Sequence, residues 1–249
     1  MNYYNEFDPF AAAWLRELIN DKLIPEGEVD ERSIIDVDGK DLKGFTQCHF
    51  FAGIGGWSYA LELAGWSADR PVWTGSPPCQ PFSVAGNKKG QDDERHLSPA
   101  FTRLIKECRP SVVFGEQVSS AIRTGWFDDL QDDLEAEDYA TAMAVLPACS
   151  VGAFHKRERM FFVSHSNSSR RWSKQEPVKQ ARREWWQSYG NSCVSFEDGK
   201  KRPIPTEPAL FPLANGIPNR VGLLRGAGNA IVPQVAAEVI KAYMEYEHI

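Results

Sequence analysis

From Tyr3 to about Val163, short apolar runs alternate with stretches whose apolar residues recur at helical spacing. Residues 10–19 (FAAAWLRELI) follow Asp8-Pro9, a capping residue with proline at the first helical position, so the spacing predicts a helix there. Residues 46–51 (TQCHFF) are predicted as a buried strand that runs into the glycines of FAGIGGW, with a helix over 58–64. PVWTG (71–75), SVVFG (111–115) and MFFV (160–163) read as further short strands, and 99–108 and 126–134 as further helices. Alternating strands and helices imply an α/β fold with a doubly wound, mostly parallel sheet. Between about 164 and 218 the pattern fails, and helical order returns at 232–246. Residues 1–163 and 225–249 are therefore expected to form one layered domain, with 164–224 as a small irregular region.

A length of 249 residues suits one large domain with a small appendage. The chain has no unbroken apolar run of the roughly 18 residues that a membrane span needs. Its first ten residues lack the basic head and apolar stretch of a secretory signal. The five cysteines (Cys48, Cys79, Cys108, Cys149, Cys193) are odd in number and contain no CxxC pair. Neither a disulfide framework nor a metal site is expected, and a reducing cytoplasmic setting is. The net charge of −6 argues against a uniformly basic nucleic-acid binder, yet charge is unevenly spread. Residues 1–149 hold 13 Lys and Arg against 25 Asp and Glu, a balance of −12, whereas residues 155–202 hold 12 against 5, a balance of +7. A basic segment on an acidic body suits local phosphate contact; a solvated surface has the same signature.

Four segments carry candidate chemistry. FAGIGGW (51–57) lies between a strand and a helix, and its glycines remove the Cβ atoms that would keep a ligand from the backbone. GSPPCQPFS (75–83) sets Cys79 after two prolines at the carboxyl end of a strand, where open α/β sheets place their ligands. A thiol held in one direction by prolines is a natural nucleophile. VVFGEQV (112–118) brings Glu116 to the end of the next strand, where a carboxyl of raised pKa can donate a proton near neutrality. HKRERMFF (155–162) spaces Arg157 and Arg159 to share one face of a strand entrance, suited to a base or phosphate oxygen.

FAGIGGW, PCQPFS, the Glu of GEQV, RER before an apolar strand, and GNAIVPQVA (228–236) together resemble motifs I, IV, VI, VIII and X of the cytosine-5 DNA methyltransferases. YYNEFDPFAAAWL is similar to the family's motif II, and GEVDERSI (27–34) to its motif III; here both precede motif I, a permuted order. Two positions depart from the family pattern: Gln117 stands for the usual Asn of Glu-Asn-Val, and His155 for the usual Gln.

The resemblance implies a Rossmann-like methyltransferase fold and methyl transfer from S-adenosyl-L-methionine to C5 of cytosine in DNA. In that reading Cys79 adds to C6 of a flipped-out base, Glu116 assists at N3, and Arg159 with Arg157 holds the base carbonyl. For the cofactor it implies Phe51 beside the adenosyl group and Gly53, Ile54, Gly55 and Gly56 around the methionine end. Glu6 is expected on the ribose hydroxyls and Phe7 on the adenine face, with Pro78 and Asn229 completing the pocket. Asp30 or Glu28 is expected to meet the adenine amine. The expected partner is double-stranded DNA, recognised by residues 164–224 and bound by a monomer in a bacterial or phage-infected cell. A restriction endonuclease counterpart is left open. An RNA-directed member of the same family, a catalytically silent DNA-binding relative and a nicotinamide dehydrogenase are rival readings; the last leaves PPCQP without a role.

Overall fold

The computed structural model describes residues 1–78, 97–166, 193–195, 201–203, 226 and 228–247. The stretch after Asp8-Pro9 forms helix α1 (Pro9–Asn20), whose N-terminal amides of Phe10 and Ala11 are capped by the Asp8 carboxylate. It is flanked by two strands, β1 (Asn2–Asn5) and β2 (Gly27–Asp30). The TQCHFF run forms β3 (Gln47–Phe50), and the glycine turn leads into α2 (Gly56–Ala64). There follow β4 (Val72–Gly75), α3 (Ser98–Cys108), β5 (Val112–Val118) and α4 (Trp126–Glu135). Strands β6 (Tyr139–Leu146) and β7 (Arg159–Ser166) and helix α5 (Pro233–Glu247) complete this layer. A separate antiparallel pair joins β8 (Cys193–Ser195) to β9 (Lys201–Pro203). Among the described residues no helix is long and apolar enough to cross a membrane.

Seven strands make one sheet in the order β2-β1-β3-β4-β5-β7-β6. The first five are parallel, while β7 runs antiparallel to both β5 and β6. β7 extends three residues past its predicted end: Ser164 is fully buried, with its hydroxyl 3.0 Å from that of Thr141 on β6.

Side chains alternate between the two faces of the sheet. On one face Tyr3, Phe50, Trp73, Val113 and Phe162 pack with Phe101 and Leu104 of α3 and Leu130 and Leu134 of α4. On the other, Val72, Phe114 and Phe161 pack with Trp57 and Leu61 of α2 and Val235 and Ile240 of α5. Tyr4 belongs to this second face, clustering with Leu15 of α1 and sharing a hydroxyl contact with Ser58 of α2.

This distribution fixes the handedness of the connections. β3–α2–β4 and β4–α3–β5 step in the same direction across the sheet with their helices on opposite faces, so the two crossovers have opposite hands. β1–α1–β2 steps the other way with α1 on the face of α2, and so shares the hand of β4–α3–β5. Parallel crossovers are right-handed with very few exceptions, and the odd one here is the connection through α2. Burial of Trp57, Ala60 and Leu61 against α5 and Phe114 holds α2 on that face.

Candidate active site

The registers bring the carboxyl ends of the parallel strands to one edge, where Asn5 pairs with Asp30 and Phe50, Phe50 with Gly75, and Gly75 with Gly115. The entrance of the antiparallel β7 arrives at the same edge, with Arg159 opposite Val118. Open α/β sheets bind ligands at this edge.

The turn after β3 is built from left-handed residues: Phe51 (φ +53°), Gly53 (φ +56°) and Gly55 (φ +80°), the last serving as N-cap of α2. A Cβ on Gly53 would meet no atom within 4 Å, so glycine stands there for its backbone angle beside open space. Glu6, one residue past β1, accepts from the Gly53 amide at 2.7 Å through one carboxylate oxygen and from the Asp8 amide at 2.9 Å through the other. The acid that follows β1 thus sits on the glycine turn. Phe7 is 70% exposed beside it. Phe51, Ile54 and Gly56 are partly buried and Gly55 is buried, while Pro78 and Asn229 are exposed. An acidic side chain, an exposed aromatic ring and a turn open to a ligand fit an adenosyl cofactor.

Asp30 does not fit the role expected of it. Its Oδ1 accepts from the amide and Nε of Arg32, and its Oδ2 from Nε and Nη2 of Arg32 and from the Tyr3 hydroxyl at 2.7 Å. Burial opposes its charge, but these bonds together hold the carboxyl below its usual range. With both oxygens filled, it braces the end of β2 and leaves no lone pair for an adenine amine. Glu28, the alternative, is exposed two residues earlier on the same edge strand.

On the target side, Glu116 is 9% exposed, and burial pushes its carboxyl up to about 7 against the opposing charges of Arg159 and Arg157. Arg159 Nε lies 3.2 Å from Glu116 Oε1, and its Nη1 donates to the Glu158 carbonyl. Close packing under Glu116 depends on Gly115, where a Cβ would fall 2.1 Å from the Phe162 ring. Gln117 donates from Nε2 to the Pro77 carbonyl at 3.0 Å and accepts the Val118 amide at 2.9 Å through Oε1. The Trp57 indole donates to Ser76 Oγ at 2.9 Å. Thus Gln117 and Trp57 both grip the segment that leads to Cys79. Cys79 itself and the loop that follows it, to residue 96, lie outside the described residues.

Arg157 lies before the strand, which starts only at Arg159, and is buried with its backbone at φ +27°. There its Nη2 donates to the carbonyls of Gly228 and Ala230, both at 2.8 Å. The expectation that both arginines hold the base is corrected on this point.

Sequence reasoning also missed the packing beneath the glycine turn. His49 is buried, stacks on Tyr4 with ring centroids 5.0 Å apart and shares a 2.8 Å contact between its Nδ1 and Thr74 Oγ1. Burial holds it neutral, down at about 3. The only signal in sequence was a histidine inside an apolar strand.

The family model for C-5 cytosine-specific DNA methylases matches residues 69–198, just over half of the chain. The chain belongs to this family. Its similarity to the Type II methyltransferase M.HhaI of Haemophilus parahaemolyticus is 27% identity over 173 residues, covering 54% of the chain and 53% of that protein. To M.AplI of Arthrospira platensis it is 32% over 111 residues, covering 43% of the chain and 32% of that protein. The chain thus spans about half or less of these two relatives. A solved structure of Spodoptera frugiperda DNMT2 superposes with a TM-score of 0.55 at 14% identity, covering 96% of the chain and 90% of that protein, which shows a shared fold.

Proposed function

We propose that this member of the cytosine-5 methylase family methylates C5 of cytosine in double-stranded DNA, using Cys79 as nucleophile and S-adenosyl-L-methionine as methyl donor. The observation that carries this reading is Glu116: a buried carboxyl raised to about 7, paired with Arg159, at the strand end beside the segment that Gln117 holds. A carboxyl in that state supplies a proton or strong hydrogen bond to a ring nitrogen at neutral pH.

C5 of cytosine is a poor nucleophile until C6 is saturated. The Cys79 thiolate forms a C–S bond to C6, and the electron pair moved onto the ring is stabilised by Glu116 at N3 and Arg159 at the base carbonyl. C5 then has enamine character. S-adenosyl-L-methionine, when bound, supplies the electrophilic methyl group. After transfer, loss of the C5 proton to a base restores the double bond as the C–S bond breaks and the thiolate leaves. The target base must leave the stack for Cys79 to reach C6. Glu6, Phe7, Phe51 and the Gly53–Gly56 backbone are the residues that would hold the donor, with Pro78 and Asn229 at its edges.

The placement of motifs II and III ahead of motif I is read as a permutation that preserves the crevice, supported by the contact of Glu6 with the Gly53 amide. Since 164–166 complete β7, target recognition falls to residues 167–224, appended to a catalytic domain of 1–166 and 225–249. Incubation with tritiated S-adenosyl-L-methionine should label duplex DNA and leave tRNA unlabelled; label on tRNA alone would favour an RNA-directed enzyme, and label on neither would overturn methyl transfer. Within the recognition segment, exchanging Arg182 and Arg183 for Glu should weaken DNA binding and reduce the slope of log K against log salt by about 1–2, since each phosphate contact releases counterions. An unchanged slope and affinity in a filter-binding titration would make these arginines plain solvated surface.

A further inference from the structure

We infer that Arg157 is a positioning residue that ties the turn at residues 226–231 to the strand carrying Arg159, and that it governs affinity for the cofactor rather than contact with the target base; this rests on the functional reading above. Arg157 as a whole residue is almost fully withdrawn from water, at 6% exposure. A buried cation is tolerated only where acceptors compensate for lost hydration. Its Nη2 finds two, the Gly228 and Ala230 carbonyls. The acceptors need the donor equally, because they lie at the C-terminal end of a helical stretch in which Ala230 N–H donates to the Gly226 carbonyl, and the last carbonyls of a helix lack partners within it. Arg157 therefore acts as a cap supplied from a distant part of the chain.

What this turn touches gives the cap its functional consequence. Ile231 is buried directly against Gly56, where an added Cβ would fall 2.9 Å from Ile231 Cγ1. Gly226 faces Ile54 and Trp14, with their side chains 3.4 and 3.6 Å from the position a Cβ would take. The turn thus rests on both sides of the glycine turn, one contact on Ile54 and one on Gly56. Two residues on, Arg159 turns to Glu116. Arg157 and Arg159, alike in sequence, make different hydrogen-bond contacts, though the charges of both act on Glu116. Releasing the first loosens the cover on the glycine turn and leaves the Glu116–Arg159 pair in place.

The test measures binding and chemistry separately. Isothermal titration of the whole chain with S-adenosylhomocysteine, without DNA, should show Kd raised about 10-fold or more in Arg157→Gln, equivalent to losing one to two good contacts. Covalent capture of 5-fluorocytosine DNA at saturating S-adenosyl-L-methionine should stay within about 3-fold of the unsubstituted chain, a split that general loss of structure does not produce. Ile231→Ala loosens the same turn without touching the arginine and should show the same split, so it decides the matter if Arg157→Gln fails to fold. Unchanged Kd in the folded variants, or retained Kd with lost capture, overturns the tie. Failure of the unsubstituted chain to bind S-adenosylhomocysteine overturns the functional reading as well.

Discussion

Replacing Cys79 with alanine is expected to lower methyl transfer by on the order of 10⁴-fold or more, while binding of S-adenosylhomocysteine is retained. The size follows from the chemistry: without a C–S bond at C6 the ring offers no carbon nucleophile. Position supports the expectation. Gly75 pairs with Gly115, so the segment that leaves β4 starts beside the strand carrying Glu116. It is then gripped by Gln117 at the Pro77 carbonyl and by Trp57 at Ser76. A nucleophile two residues beyond Pro77 starts from a fixed platform. Duplex DNA with 5-fluorocytosine at the target makes the test specific, because the fluorine cannot leave as a proton does and the adduct is trapped. The unsubstituted chain should form that adduct, visible as a slower band in a denaturing gel, and Cys79→Ala should form none. Turnover at the normal rate in the variant would remove the covalent mechanism.

Local signals made most of the scaffold legible. Asp8-Pro9 marked the start of α1, and the apolar runs marked β3, β4, β5 and β7 to within a few residues. β6 was not anticipated: YATAMAVL is rich in alanine, and as a sheet-edge strand it carries four partly buried and three exposed positions, so neither alternation nor a buried run stands out. Sequence placed Glu116 near the end of β5 and Arg159 at the entrance of β7, but not the ion pair between them. Sequence reasoning failed where the partner is remote along the chain. The Arg157 acceptors lie 71 and 73 residues away, and Tyr3, which helps fill the Asp30 carboxylate, lies 27 away. No periodicity reports such contacts. Period-two spacing also assumes extended backbone, and Arg157 at φ +27° breaks that assumption. Gln117 shows the reverse case: the extra methylene relative to Asn still permits a grip on the preceding loop.

Replacing Glu116 with glutamine should reduce kcat by about 100-fold or more, with DNA affinity changed far less. Glutamine preserves size and hydrogen-bonding capacity, so the loss isolates the ionisable proton. The pH dependence should change with it. Burial raises the carboxyl from its ordinary 4.5 to about 7, against Arg159 and Arg157, so the acid form that serves N3 is depleted as pH rises through about 7. The descending limb of kcat/KM near that pH should disappear in Glu116→Gln. Stability provides an independent reading. Between 4.5 and about 7 the folded chain holds a proton on Glu116 that the unfolded chain has released, so stability falls as pH rises across this window. The full difference is about 3 kcal/mol at 1.36 kcal/mol per pKa unit. Urea titrations at pH 5 and pH 8 should show this decline in the unsubstituted chain and a flatter profile in the variant. If Glu116→Gln instead keeps its turnover and loses only DNA affinity, Glu116 binds the base without sharing its proton. If the two stability profiles coincide, the carboxyl is already ionised throughout the window, and proton donation from Glu116 is excluded.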